Sequence, residues 1–229
     1  MKTIGLIGGI GPETTVVYYR LLLEAGHTAV VINSVDLARL LEMMYRDDLA
    51  GVADYLSAEV EKLAAAGADI ALIAANTPHV VFDDLQRRAR LPMVSIVEAT
   101  CDHAAASGLR RVGLFGTRFT MARRFFPDAL SRRGIELMLP SGEEQEYVHD
   151  KYVNELLHGS FLPGTRARLL EIASRMIRDD RIDGLVLGGT ELSLLLTQPT
   201  HDGIPLLDTT RIHVDAALKA AQAAREHLQ

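Results

Sequence analysis

The residues best placed to do chemistry close two apolar runs. Residues 70–75 lead into Asn76-Thr77-Pro78-His79, and residues 184–188 lead into Gly189-Thr190-Glu191. An ordinary imidazole titrates near neutrality, so His79 could act as a base. The Glu191 carboxylate could do the same if desolvation raised its pKa. Asn76, Thr77 and Thr190 add short hydrogen-bonding side chains, as do Thr117 and Thr120 after the apolar run 111–115. Arg46 and Arg166 stand on segments that could cap such a site and neutralise a second carboxylate of a ligand, although an arginine on a helix is more simply a solvated one. Asp36 and Glu13 also fall at strand ends, and Glu13 is equally well explained as a charge in a first helical turn.

Apolar runs ending in polar tips are strands buried on both faces, and open α/β sheets bind ligands at the carboxyl ends of such strands. The tips recur. Asp69 and Asp183 are 114 residues apart, as are Ala75 and Gly189, and Gly5-Leu6-Ile7-Gly8 returns as Gly113-Leu114-Phe115-Gly116 at an offset of 108. An internal duplication follows, with strands alternating with helices in each copy and hence a parallel sheet in each. Helices are expected over 12–25, 37–46, 54–66 and 79–89 and strands over 3–7, 29–33, 70–75 and 92–96 in the first half. In the second half a helix to about Ser107 precedes a strand over 111–115, and a helix then runs unbroken to Gly134. Strands over 135–139, 184–187 and 205–207 and helices over 147–157, 166–179 and from Arg211 complete it. The expected division is a first α/β domain of residues 1–97 with 209–229, and a second of 98–208.

The glycine turn Gly8-Gly9-Ile10-Gly11-Pro12-Glu13 opens the first helix. It is not a dinucleotide fingerprint, because Thr14 stands where the third glycine would be, and it has no P-loop lysine. Its backbone N–H groups, those of Ile10 and Gly11 among them, could still receive a carboxylate. A net charge of −6 with scattered basic residues argues against nucleic acid, and no apolar run approaches the roughly 18 residues of a membrane span. A cytoplasmic protein is expected. The single cysteine, Cys101, excludes an internal disulfide and reads as a small core residue, and the dispersed histidines give no metal-ligand spacing.

Three motifs together resemble the aspartate/glutamate/hydantoin racemase family over essentially the whole chain. The glycine turn looks like the family's N-terminal loop, Asn76-Thr77-Pro78-His79 like its Cys-Asn-Thr-x-His motif, and Leu187-Gly188-Gly189-Thr190-Glu191 like its Leu-Gly-Cys-Thr-Glu motif. The resemblance implies two similar Rossmann-like domains facing each other across a cleft, a cofactor-independent isomerase that needs no PLP, and a homodimer. It also implies that Ile10, Gly11, Arg46, Asn76, Thr77, Thr117, Thr120, Arg166 and Thr190 surround a small amino acid or dicarboxylate. His79 and Glu191 both match family residues, which favours for His79 a role in fixing the tip.

The departure lies at the two positions that carry proton transfer in such racemases. One family thiolate removes the α-proton and the other thiol returns one to the opposite face. Here those places hold Ala75 and Gly189, and neither side chain can carry a proton. The chain therefore reads as a branch lacking both catalytic cysteines, expected to bind an aspartate- or glutamate-like ligand without two-thiol racemisation. The alternatives are a non-catalytic small-carboxylate binding or regulatory protein, and a decarboxylase- or isomerase-like relative. Cysteines placed at 75 and 189 together are expected to restore exchange, with a positive φ at Gly189 as the hazard.

Overall fold

The structure is a computed structural model that describes residues 1–223. Two compact units divide the chain, one of residues 1–96 with the segment from His213, the other of residues 97–212.

In the first unit, β1 (Ile4–Gly8) is buried along its whole length, and Pro12 opens α1 (Pro12–Glu24) where the missing N–H costs no helical bond. The edge strand β2 (Val30–Ser34) leads to α2 (Leu37–Tyr45) and α3 (Leu49–Ala65). Asp36 and Asp48 cap these two helices, accepting from the backbone N–H of Arg39 and of Gly51. Asp36 is thus a helix cap. After β3 (Ile70–Ile73) come a 3₁₀ turn (Thr77–Val81), α4 (Phe82–Arg88) and β4 (Met93–Val94). The sheet order is β2-β1-β3-β4, all parallel. Its core takes Ile4, Leu6, Tyr18, Leu22, Ile70 and Leu72 together with Val214, Ala217 and Ala221 from the last helix.

In the second unit, α5 (Ile96–Ala106) leads to β5 (Arg111–Phe115), α6 (Arg118–Ala122), α7 (Phe125–Ser131) and β6 (Glu136–Met138). Next come α8 (Gly142–Asn154), started by a Ser141/Glu144 capping box, and α9 (Pro163–Arg175). β7 (Gly184–Leu187), α10 (Leu192–Leu195), β8 (Thr200–His201), β9 (Ile204–Asp208) and α11 (Thr209–Ala223) follow, α11 joining the first unit from His213 onward. Phe115, Tyr152, Leu169, Ile172, Met176, Leu185 and Leu187 form the core. The sheet order is β6-β5-β7-β9-β8, so its first four strands repeat the plan of the first unit.

The duplication extends to the register. Gly5 pairs with Ala71 and Gly113 with Leu185, which reproduces the offsets of 108 and 114. Asp69 accepts from the N–H of Thr3 at 2.7 Å, and Asp183 from Arg110 and Arg111 at 2.7 and 3.0 Å. Two residues earlier, Gly67 and Arg181 both take a positive φ, +88° and +56°. A side chain at Gly5 or Gly113 would crowd Ala68 or Ile182 at 2.9 Å, so both strands keep glycine where the neighbouring chain crosses closely.

The differences from the sequence reading are local. The strand expected over 92–96 shrinks to two residues because Ile96 already opens α5. The helix expected to run to Gly134 breaks at Arg123, whose φ/ψ of −90°/160° is extended, giving α6 and α7. The helix expected from Asp54 starts at Leu49, behind the Asp48 cap. β8 adds an antiparallel edge to an otherwise parallel sheet, turned through Asp202 and Gly203 at positive φ. No described helix is long and apolar enough to cross a membrane.

Candidate functional site

β1 and β3 are paired neighbours, so the glycine turn after β1 and the Ala75–His79 segment leave the sheet side by side. Gly9 takes φ +80°, its N–H bonded to Thr15 Oγ1 at 2.9 Å, and Ile10 and Gly11 follow it into the head of α1. Ala75, Asn76 and His79 are buried, and Thr77 is partly so. The His79 ring is held by two backbone groups. Ile96 N–H donates to Nε2 at 3.2 Å, so the ring proton sits on Nδ1 and is donated to the Ala75 carbonyl at 2.9 Å. Burial first, and then the neighbouring His213, lower its pKa from 6.5 to about 3. His79 is therefore neutral and committed to shaping the tip, stacked on Phe82 with centroids 5.0 Å apart.

His213 repeats that design from α11. Its Nε2–H donates to the Val94 carbonyl at 2.8 Å, which leaves Nδ1 to accept from the Tyr18 hydroxyl at 2.7 Å, and burial brings its pKa to about 4. The first tip is braced by two neutral imidazoles.

The second tip is built differently. Phe115 pairs with Leu187 and Leu187 with Asp208, so Thr117, the Gly188–Glu191 segment and Thr209 leave adjacent strand ends. Thr117 caps α6, its Oγ1 accepting from Thr120 N–H at 3.1 Å, and Thr120 is fully buried. Glu191 is buried at 2% exposure; its Oε2 accepts from the Thr190 hydroxyl at 3.0 Å and from the Tyr152 hydroxyl of α8. Burial, then the charge of Glu191, push the Tyr152 phenol well above its usual 10.

Tyr152 also explains Gly189. A Cβ built there would overlap Cε2 of the ring and lie 2.9 Å from Cζ and 3.0 Å from Cδ2. The space a thiol would need at this tip is filled by the ring. Gly189 is not among the glycines at positive φ, so the hazard to a cysteine there is this ring and not the backbone.

The remaining candidates stand apart in what they bond. Arg46 is exposed at the end of α2 and pairs with Glu42 at 2.6 Å, while Arg166 on α9 donates to Gln198 at 2.8 Å. Cys101 is buried and its thiol is pushed up to about 12, chiefly by burial, which makes it inert at neutral pH. Among the described residues no cluster of three or more His, Cys, Asp or Glu could hold a metal ion. Sequence reasoning missed Tyr152, whose place in the last turn of α8 carries no local sign of its role. It also passed over Asp208-Thr209-Thr210, although these polar residues close β9 as Asn76 and Thr77 close β3.

The family model for Asp/Glu/hydantoin racemases matches residues 7–217. An aspartate racemase homologue from Pyrococcus horikoshii is 31% identical with a TM-score of 0.83, the match covering 96% of this chain and 99% of that one. A Yersinia pestis structure carrying an Asp/Glu racemase assignment is 30% identical with a TM-score of 0.85, over 96% of this chain and 99% of that one. A glutamate racemase from Francisella tularensis, solved with D-glutamate, shares the fold at 18% identity and a TM-score of 0.70, over 98% of this chain and 82% of that one. With the same strand plan in both units and a family match that takes in both tips, this chain belongs to the Asp/Glu/hydantoin racemase family.

Proposed function

We propose that the chain binds a small amino acid or dicarboxylic acid of the aspartate/glutamate kind through the residues of its tips, without PLP or another cofactor, and that two-thiol racemisation is disabled. The carrying observation is the Tyr152 ring over Gly189: the second tip lacks both a thiol and the room for one. Ala75 supplies no proton carrier at the first tip, and His79 is neutral and bonded on both nitrogens. The Pyrococcus relative, an aspartate racemase homologue, supports the ligand class. The hydrogen-bonding residues Asn76, Thr77, Thr117, Thr120 and Thr190, with the turn at Ile10 and Gly11, are the proposed contacts, and Arg46 and Arg166 would reach a second carboxylate. The test combines calorimetry with NMR in D2O on both enantiomers of aspartate and glutamate. Binding with no exchange of the α-proton over hours is expected, and rapid exchange would overturn the disabled reading.

A second reading is favoured by the Tyr152–Glu191 pair, a phenol and a carboxylate in direct contact at one tip only. A group that delivers a proton to one face suffices for a decarboxylase-like reaction, in which departing CO2 leaves its electron pair on carbon and that carbon is then protonated, while an isomerase-like reaction would need the same pair first to remove a proton from carbon. Release of CO2 from a panel of small dicarboxylic acids, abolished in Glu191→Gln, would establish it.

A homodimer in the cytoplasm completes the proposal. Val16, Tyr19 and Leu23, exposed at helical spacing on α1, and the exposed Ile32 on edge strand β2 are the apolar surface such a dimer would cover. Light scattering that gives a monomer mass at micromolar concentration would remove the dimer, and cell fractionation tests the location.

A further inference from the structure

Thr210 stands in the first turn of α11, beside the second tip. Its Oγ1 is buried and finds no hydrogen-bond partner, although the residue is only 2% exposed. Buried hydroxyls are normally satisfied, and an orphan burdens the fold. The usual local remedy is closed to it. A threonine inside a helix can donate to the carbonyl four residues back, but for Thr210 that residue is Leu206, which belongs to strand β9 and precedes the helix.

The neighbouring groups are spoken for. Thr209 Oγ1 donates to the Leu187 carbonyl at 2.9 Å, which ties the head of α11 to the end of β7. The carboxylate of Asp208 accepts from the N–H groups of Thr210 and Arg211 at 2.9 and 3.2 Å, capping the helix. The first turn of α11, which carries Thr210, begins directly after the strand end where Asp208 pairs with Leu187, so the residue stands close to the second tip.

We propose that Thr210 is a ligand contact of the second tip, its hydroxyl donating to a carboxylate oxygen of the bound acid. This rests on reading the tips as an amino-acid or dicarboxylate site and adds to it a residue from a third strand end, outside the family's motifs quoted above. An oxygen of the bound acid would satisfy this buried hydroxyl, which no protein group among the described residues does. The bond would also link occupancy to the start of α11, the helix that carries His213.

The prediction separates two quantities that a structural role would move together. Thr210→Val keeps shape and volume while removing the orphan, so without ligand it melts at or above the temperature of the parent. Thr209→Val, which strands the Leu187 carbonyl, melts lower and is the control. L-aspartate, D-aspartate, L-glutamate and succinate are titrated by calorimetry. For whichever the parent binds most tightly, Thr210→Val is expected to weaken binding about tenfold. Thr210→Ser keeps the hydroxyl and should stay within about threefold of the parent, since only a methyl is lost. Unchanged affinity in Thr210→Val would overturn the contact while leaving the proposed function standing. A ligand-free melting temperature clearly below that of the parent would overturn it too, because the hydroxyl would then serve the fold. If the parent binds none of the four, the functional reading fails and this inference falls with it.

Discussion

The two tips share a backbone plan and differ in how each is held shut. At the first, His79 turns back onto its own strand end and spends both ring nitrogens on backbone groups. At the second, Glu191 is held from outside by a hydroxyl from α8, and the ring that carries it covers Gly189. Duplication copied the register, the aspartate staples and the positive-φ residue before each strand, but left the side-chain chemistry of each tip to its own unit. Equivalent places in a repeat are therefore equivalent in position without being equivalent in what they tolerate.

The largest expected asymmetry is in acid. His79 and His213 have folded pKa values of about 3 and about 4 against 6.5 for the unfolded chain, so the unfolded state takes up protons first as the pH falls. Their contribution to stability is complete above pH 6.5 and declines below it, by up to about 1.4 kcal/mol per pH unit for each histidine until the folded values are reached. Hydrogen exchange between pH 7 and 4.5 should show β3 and β4 losing protection before β5 and β7. Simultaneous loss in both units would erase the distinction.

Next in size is His79→Leu. It strands the Ala75 carbonyl and the Ile96 N–H, and with about 1–3 kcal/mol for each buried orphan the loss should come to about 4 kcal/mol. Urea denaturation measures it, and the variant should also lose part of the acid sensitivity.

The thiol positions sharpen the contrast further. Gly189→Cys overpacks against Tyr152 and should cost about 1–3 kcal/mol, whereas Ala75→Cys should cost less than about 1.5 kcal/mol. Adding Tyr152→Leu to the first variant should recover much of the loss. Equal melting temperatures for the two single cysteine variants would mean that the ring moves aside freely. Restoring α-proton exchange is thus expected to require three changes, at 75, 189 and 152. The smallest effect belongs to Arg46→Ala. Its exposed pair with Glu42 is worth no more than about 0.5 kcal/mol, so as a contact to a second carboxylate it should change ligand affinity more than stability, and an unchanged affinity would remove this arginine from the site.

Much of this was legible in the chain because short apolar strands with polar closers advertise both a sheet and its ligand end. Gly5 with Gly113 and Asp69 with Asp183 gave the register, since close crossing and strand anchoring each demand a particular residue type. Tyr152 was not legible. Its meaning depends on α8 passing over a tip 37 residues further along, and no local pattern encodes that approach. The break at Arg123 did have a mark in Pro127, in the first turn of α7, whereas the start of α5 at Ile96 carries no glycine or proline.

One feature of the chain path bears on how the molecule is made. The first unit is discontinuous: its core needs Val214, Ala217 and Ala221, and His213 supplies the bond to Val94. On the ribosome these residues emerge only after all of the second unit, which is contiguous. The second unit can finish folding while the first still waits for its final helix. A nascent chain halted before His213 would carry an incomplete hydrophobic layer over β1 and β3, with apolar surface open to aggregation until α11 arrives.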